Sequence, residues 1–115
     1  MPASRPFEVR EYLREDGSCP FREWASSLPV TVRARIAARV VRFEGGNLGD
    51  SKPLGDGVWE ARFAFGPGYR LYFGMLGGRI VLLLAGGDKS TQRKDVTLAK
   101  HLWRDYKEAN DETQS

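Results

Sequence analysis

In the segment GDGVWEARFAFGPGYRLYFG, from Gly55 to Gly74, Glu60, Arg62, Arg70 and Tyr72 share one side of an alternating pattern whose other side is Trp59, Ala61, Phe63, Leu71 and Phe73. Two guanidinium forks held on strands neutralise charge that builds on phosphate oxygens, as when a neighbouring 2′-hydroxyl attacks an RNA phosphate. Arginine stays protonated and makes a poor base, so the proton must move through another group. Adjacent guanidinium groups disfavour the charged form of a nearby lysine, which points to Lys89 or Lys52, with Tyr72 orienting or sharing a proton.

The turn Gly66-Pro67-Gly68 is expected to hold three residues, with Gly68 in the left-handed position. Phe65 then faces Tyr69, Phe63 faces Leu71 and Ala61 faces Phe73, while a two-residue turn would mix apolar and charged faces. Arg62 falls opposite Tyr72, with Arg70 its diagonal neighbour and Glu60 available to pair with Arg62. A two-residue Gly77-Gly78 turn puts Tyr72 beside Leu83 and Arg70 beside Ala85. The loop GGDKST, Gly86 to Thr91, then delivers Lys89 to the same concave face. Ser90 or Thr91 is placed to cap the next helix, whose free amides add affinity for an anion. Lys52 approaches from the opposite edge.

These residues need a scaffold, and the 115-residue chain has room for one domain, 1–115, with a polar tail from about residue 108. Phe7 to Leu13 alternates as an outer strand ending at Asp16-Gly17. Pro20 to Leu28 reads as a short helix, and Pro29 opens a second whose Val32, Ile36, Val40 and Phe43 recur at helical spacing before Gly45-Gly46. A loop from Gly45 to Ser51, the hairpin, a strand from Arg79 to Ala85 and a helix from about Ser90 to Asn110 complete the order βααβββα. The fold class is α+β: a helical hairpin and a C-terminal helix packed on a mainly antiparallel meander.

Net charge is +3 and the isoelectric point about 9.2, a mild basic excess that permits a nucleic-acid partner without requiring one. The single cysteine, Cys19, excludes an internal disulfide, and no Cys or His pairs have metal-ligand spacing, so no metal or cofactor is expected. The longest apolar run, Ile80 to Ala85, is too short to cross a bilayer, and MPASRPFEVR lacks a secretory apolar segment. A cytoplasmic location is expected.

VWEARFAFGPGYRLYFG, followed by IVLLLAGGDKSTQRKD, resembles the RelE/ParE toxin superfamily, with the closer likeness to its phage-derived, HigB-like addiction-module killer branch. The likeness runs from Phe7 to about Lys107. It implies the toxin of a type II toxin-antitoxin module, inactive in complex with a small helix-turn-helix antitoxin and binding operator DNA only in that complex. It further implies a metal-independent endoribonuclease that cuts mRNA on the ribosome and leaves a cyclic phosphate. By position, Arg62 and Arg70 correspond to strand arginines, and Lys52 and Lys89 to supporting lysines. The family's C-terminal His or Tyr for proton transfer has no match. A ParE-like branch shares the fold but poisons gyrase without nuclease residues, and a third reading is a DNA-binding component of the repressor complex.

The remaining motifs read as structure. GGDKST is no P-loop, because Asp88 and Leu83 stand where that motif needs glycines. Arg35, Arg39 and Arg42 form a stripe expected to be a solvated helix face. Trp59, Phe63, Phe73, Trp103 and Tyr106 are expected in the core, Cys19 is an ordinary small residue, and His101 lies on the surface.

Overall fold

Prolines place the first two helices. Pro20 begins α1 (Pro20–Ser26), where its missing N–H is not needed, and Pro29 caps α2 (Val30–Glu44), which Gly45 and the left-handed Gly46 end. The computed structural model describes residues 6–114, with side chains through residue 110. Residues 1–5, Ser115 and the side chains of the polar tail beyond 110 lie outside the described residues.

The strands are β1 (Glu8–Glu11), β2 (Ser51–Gly55), β3 (Val58–Arg62), β4 (Arg70–Leu76) and β5 (Ile80–Gly87); a 3-10 turn, Lys89–Thr91, leads into α3 (Gln92–Gln114). They form one mixed sheet in the order β1-β5-β4-β3-β2, with β1 parallel to β5 and the other pairs antiparallel. β1 is an outer strand, as its pattern indicates. The fold is α+β, and no helix among the described residues is long and apolar enough to cross a membrane.

Both faces of the sheet are covered. On one, Phe21 of α1 and Ile36 and Phe43 of α2 pack on Ala61, Leu71, Phe73, Val81 and Leu83, with the Phe43 and Phe73 rings 4.9 Å apart. On the other, Ala99, Leu102 and Trp103 of α3 pack on Val58, Tyr72, Leu82 and Leu84. β5 is buried on both faces, which explains its continuous apolar run.

Four expectations change. The segment after Asp50 is a strand, β2; Pro53 and Gly55 disguise it, but an edge strand tolerates proline because only part of its backbone joins the ladder. The hairpin register is shifted by two: Phe63 N–H donates to the Tyr69 carbonyl at 3.0 Å, closing a five-residue loop, 64–68, in which Gly66 and Gly68 both have positive φ. Arg62 therefore faces Arg70, Glu60 faces Tyr72 and Ala61 faces Leu71. The β4–β5 turn spans 77–79, and a bulge adds Leu84 between the Phe73–Leu83 and Tyr72–Ala85 pairs, so Arg70 faces Gly87. Finally, α3 starts at Gln92 and continues past Asn110 to Gln114, and its N-terminal half lies across the Tyr72 side of the sheet.

α3 seats on a glycine. A β-carbon at Gly74 would lie 2.3 Å from the Trp103 ring, and Trp103 is 3% exposed with no space to retreat. Gly74→Ala is expected to destabilise the protein by about 1–3 kcal/mol through overpacking. Urea unfolding checks this: an unchanged midpoint would mean that Trp103 is not held against the sheet as described.

Candidate anion-binding site

Arg62 and Arg70 are direct cross-strand partners on the α3 side of the sheet, a placement that brings their β-carbons to about 4.5–5.5 Å and that repulsion disfavours. Each is tied to a carboxylate. Arg62 Nη2 donates to Asp50 Oδ1 at 3.2 Å at the surface, with its side chain 44% exposed. Arg70 Nη1 donates to Glu60 Oε1 at 3.1 Å, with its side chain only 13% exposed. Glu60 thus pairs with Arg70, in place of the expected Arg62.

Glu60 is fully buried, and its second oxygen accepts from Gln92 Nε2 at 2.9 Å. One carboxylate therefore joins β3, β4 and the first residue of α3. It also fixes the Arg70 guanidinium at the rim of the sheet, where a fork held in one orientation binds an anion without first losing side-chain freedom.

Tyr72 is fully buried opposite Glu60, so neither of these side chains reaches a ligand directly, and their expected substrate contacts give way to a supporting role. The Tyr72 hydroxyl has no hydrogen-bond partner of regular geometry. Burial, and then the Glu60 and Asp95 carboxylates, push its pKa well above the ordinary tyrosine range.

Gly87, opposite Arg70, ends β5, and Lys89 follows as an exposed residue whose N–H donates to the Pro67 carbonyl at 3.3 Å. The GGDKST loop is thereby fastened to the β3–β4 loop. Asp88 caps the 3-10 turn that leads into α3, where Ser90 or Thr91 was expected to cap: its Oδ1 accepts from the Ser90 N–H at 2.8 Å and from the Ser90 hydroxyl, while the Thr91 N–H donates to the Asp88 carbonyl. Hydrogen bonding by Ser90 holds the Asp88 carboxyl below its usual range. The Thr91 hydroxyl donates to Asp95. The Ser90 and Thr91 groups expected to meet an anion are thus already engaged.

Lys52 is exposed on β2 opposite Glu60, in the row that continues through Tyr72 to Ala85, beside the row of Arg62, Arg70 and Gly87. Arg62, Arg70, Lys89 and Lys52 therefore gather at one end of the sheet, with Glu60 and Tyr72 beneath. Sequence reasoning assigned no role to Gln92, although it follows GGDKST directly, nor to Asp50. Among the described residues no group of three or more His, Cys, Asp or Glu side chains is arranged to hold a metal.

Because Tyr72 is more easily deprotonated unfolded than folded, its contribution to stability is complete below the unfolded value of about 10 and is lost as pH rises beyond it. Tyr72→Phe is expected to change stability at neutral pH by no more than about 1 kcal/mol, the net worth of one hydrogen bond, and to move alkaline unfolding to higher pH. Circular dichroism across the alkaline range checks both; an unmoved alkaline transition would show that another group governs it.

An uncharacterized protein of Haemophilus influenzae is 47% identical to the chain over 83 residues, covering 71% of this chain and 84% of that protein. The chain belongs to the same family as that protein. No family model matches it.

Proposed function

We propose that this member of the Haemophilus influenzae protein's family is the toxin of a type II toxin-antitoxin module and an endoribonuclease that cuts mRNA on the ribosome. The observation that carries this reading is the opposed Arg62–Arg70 pair, with one guanidinium braced from below by buried Glu60 and the other at the surface. The two cations face each other, each already matched by one acid, Asp50 or Glu60, and a phosphate between them takes up the N–H donors those acids leave free. The resemblance in VWEARFAFGPGYRLYFG and GGDKSTQ supports the same conclusion.

In this reading the 2′-oxygen attacks the adjacent phosphorus and gives up its proton to a base. The bond to the 5′-oxygen breaks, and that oxygen takes up a proton, leaving a cyclic phosphate. Arg62 and Arg70 hold the phosphate oxygens as charge builds on them. Lys89, exposed beside Arg70 and held at its backbone by Pro67, is placed to move a proton, with Lys52 at the outer edge. A helix-turn-helix antitoxin silences the toxin, and operator DNA is bound only by the complex. The site of action is the cytoplasm.

Arg70→Ala is an unsuitable test, because it leaves Glu60 buried without its cation at a cost of about 3–5 kcal/mol. Arg62→Ala removes a half-exposed side chain, and Arg70→Lys keeps the charge but not the fork. Messenger 5′ ends are mapped after brief induction of the protein alone. New ends in translated frames, absent with Arg62→Ala and reduced at least tenfold with Arg70→Lys, are expected. Growth arrest with intact messages would transfer the reading to a gyrase poison, and no arrest at all to a DNA-binding component.

A further inference from the structure

A second basic surface lies on the other side of the β3–β4 hairpin. Arg35, Arg39 and Arg42 of α2 line a cleft of about 360 Å³ with Ala38, Phe63 and Phe65, within the size range of small-ligand sites. Arg35 and Arg42 are exposed, as their spacing suggests, but Arg39 is partly buried, and two of the three lie over aromatic rings. The Arg35 guanidinium lies 4.4 Å from the centre of the Phe65 ring and that of Arg39 lies 4.3 Å from the centre of Phe63. The two rings pack edge to face, with centroids 6.1 Å apart.

Stacking holds each guanidinium by its face and leaves its N–H edges to donate, the geometry that suits phosphate oxygens. Among the described residues, none of the three arginines forms an ion pair. Arg39 Nη2 donates to the Arg62 carbonyl at 2.8 Å, while its Nη1 is buried without a partner. Asp50, the acid whose charge acts on Arg39, is already paired with Arg62. Three cations at helical spacing, with one buried donor unused, leave the cleft in want of an anion.

We propose that this cleft is a second phosphate subsite, holding the backbone of single-stranded RNA beside the nucleotide bound at Arg62 and Arg70. The two subsites share the hairpin: Phe63 directly follows Arg62, and Arg39 is hydrogen-bonded to the Arg62 carbonyl. Phe65 is partly exposed at the rim and carries the exposed Arg35 over its ring, so the guanidinium and the ring together form a platform on which a base stacks. An acidic protein segment would find the cations but have no use for that platform, so RNA is the better fit. This inference rests on the ribonuclease reading and extends its substrate contacts.

The test is the binding of a 2′-O-methyl oligouridine, which cannot be cleaved, to the full chain by fluorescence anisotropy over a salt series. Wild type is compared with Arg35→Ala/Arg42→Ala, Arg35→Lys and Arg62→Ala. The double variant removes exposed side chains that form no ion pair with a described residue, giving up only the contact of Arg35 with Phe65, and circular dichroism verifies its fold. Loss of tenfold or more in affinity, with a salt slope lower by about 1.4, is expected, and Arg35→Lys should fall between because it keeps charge without the fork. If Arg62→Ala weakens binding and the double variant does not, the second subsite is overturned while the ribonuclease reading stands. If wild type does not bind the oligomer at all, the second subsite is overturned, and the ribosome-dependent nuclease reading is decided separately by the mapped messenger ends. If the double variant loses affinity for an acidic peptide but not for RNA, the cleft is a protein-docking surface and the proposal is overturned.

Discussion

A carboxylate sealed from water has to be matched by its neighbours, and Glu60 is matched by two of them, Arg70 on the adjoining strand and Gln92 at the start of α3. Arg70 cannot swing out to solvent without leaving that charge uncompensated. The start of α3 is likewise tied to the sheet by more than its apolar seam of Ala99, Leu102 and Trp103. Docking α3 in turn buries Tyr72 and sets Asp95 against the end of β5. The neutralisation of one acid therefore determines where the rigid half of the basic site stands.

The same arrangement explains what the sequence revealed and what it hid. A shift of two residues leaves every side chain on its original face, so the division into an apolar side and a charged side survived while the cross-strand partners did not. Loop length was the obscure quantity, since Gly66 and Gly68 both accept left-handed conformations and nothing local decides which of them closes the hairpin. α2 was legible from its apolar spacing and its flanking Pro29 and Gly45-Gly46. The larger gap lay in Glu60 and Arg70, polar residues that the sheet and α3 bury. A strand's own residues do not tell whether a polar side is solvated or matched by polar groups elsewhere, and here Gln92 lies far along the chain from Glu60.

The two glycines of GGDKST serve packing where a phosphate cradle was considered. A β-carbon on Gly86 would meet the Trp24 ring at 2.1 Å, and one on Gly87 would fall 1.8 Å from Asp95 Oδ2. One glycine admits an aromatic ring from the α1 side and the other admits a carboxylate from the α3 side. With the Asp88 side chain engaged by Ser90, the backbone here is committed to the fold, and Lys89 remains its outward-facing group.

The β3–β4 loop is consequently more than a connection. On one flank its Pro67 carbonyl holds the Lys89 backbone; on the other, Phe65 lies beneath Arg35, and Arg39 reaches the carbonyl at the loop's entrance. Lengthening the loop by two residues relative to the expected three-residue turn takes Phe65 off the strand ladder and lets its ring meet Arg35 of α2. The departure from the expected register is thus what creates the arginine cleft. The residues bordering both basic surfaces share one backbone segment, so the spacing between the two groups of cations is fixed by that hairpin.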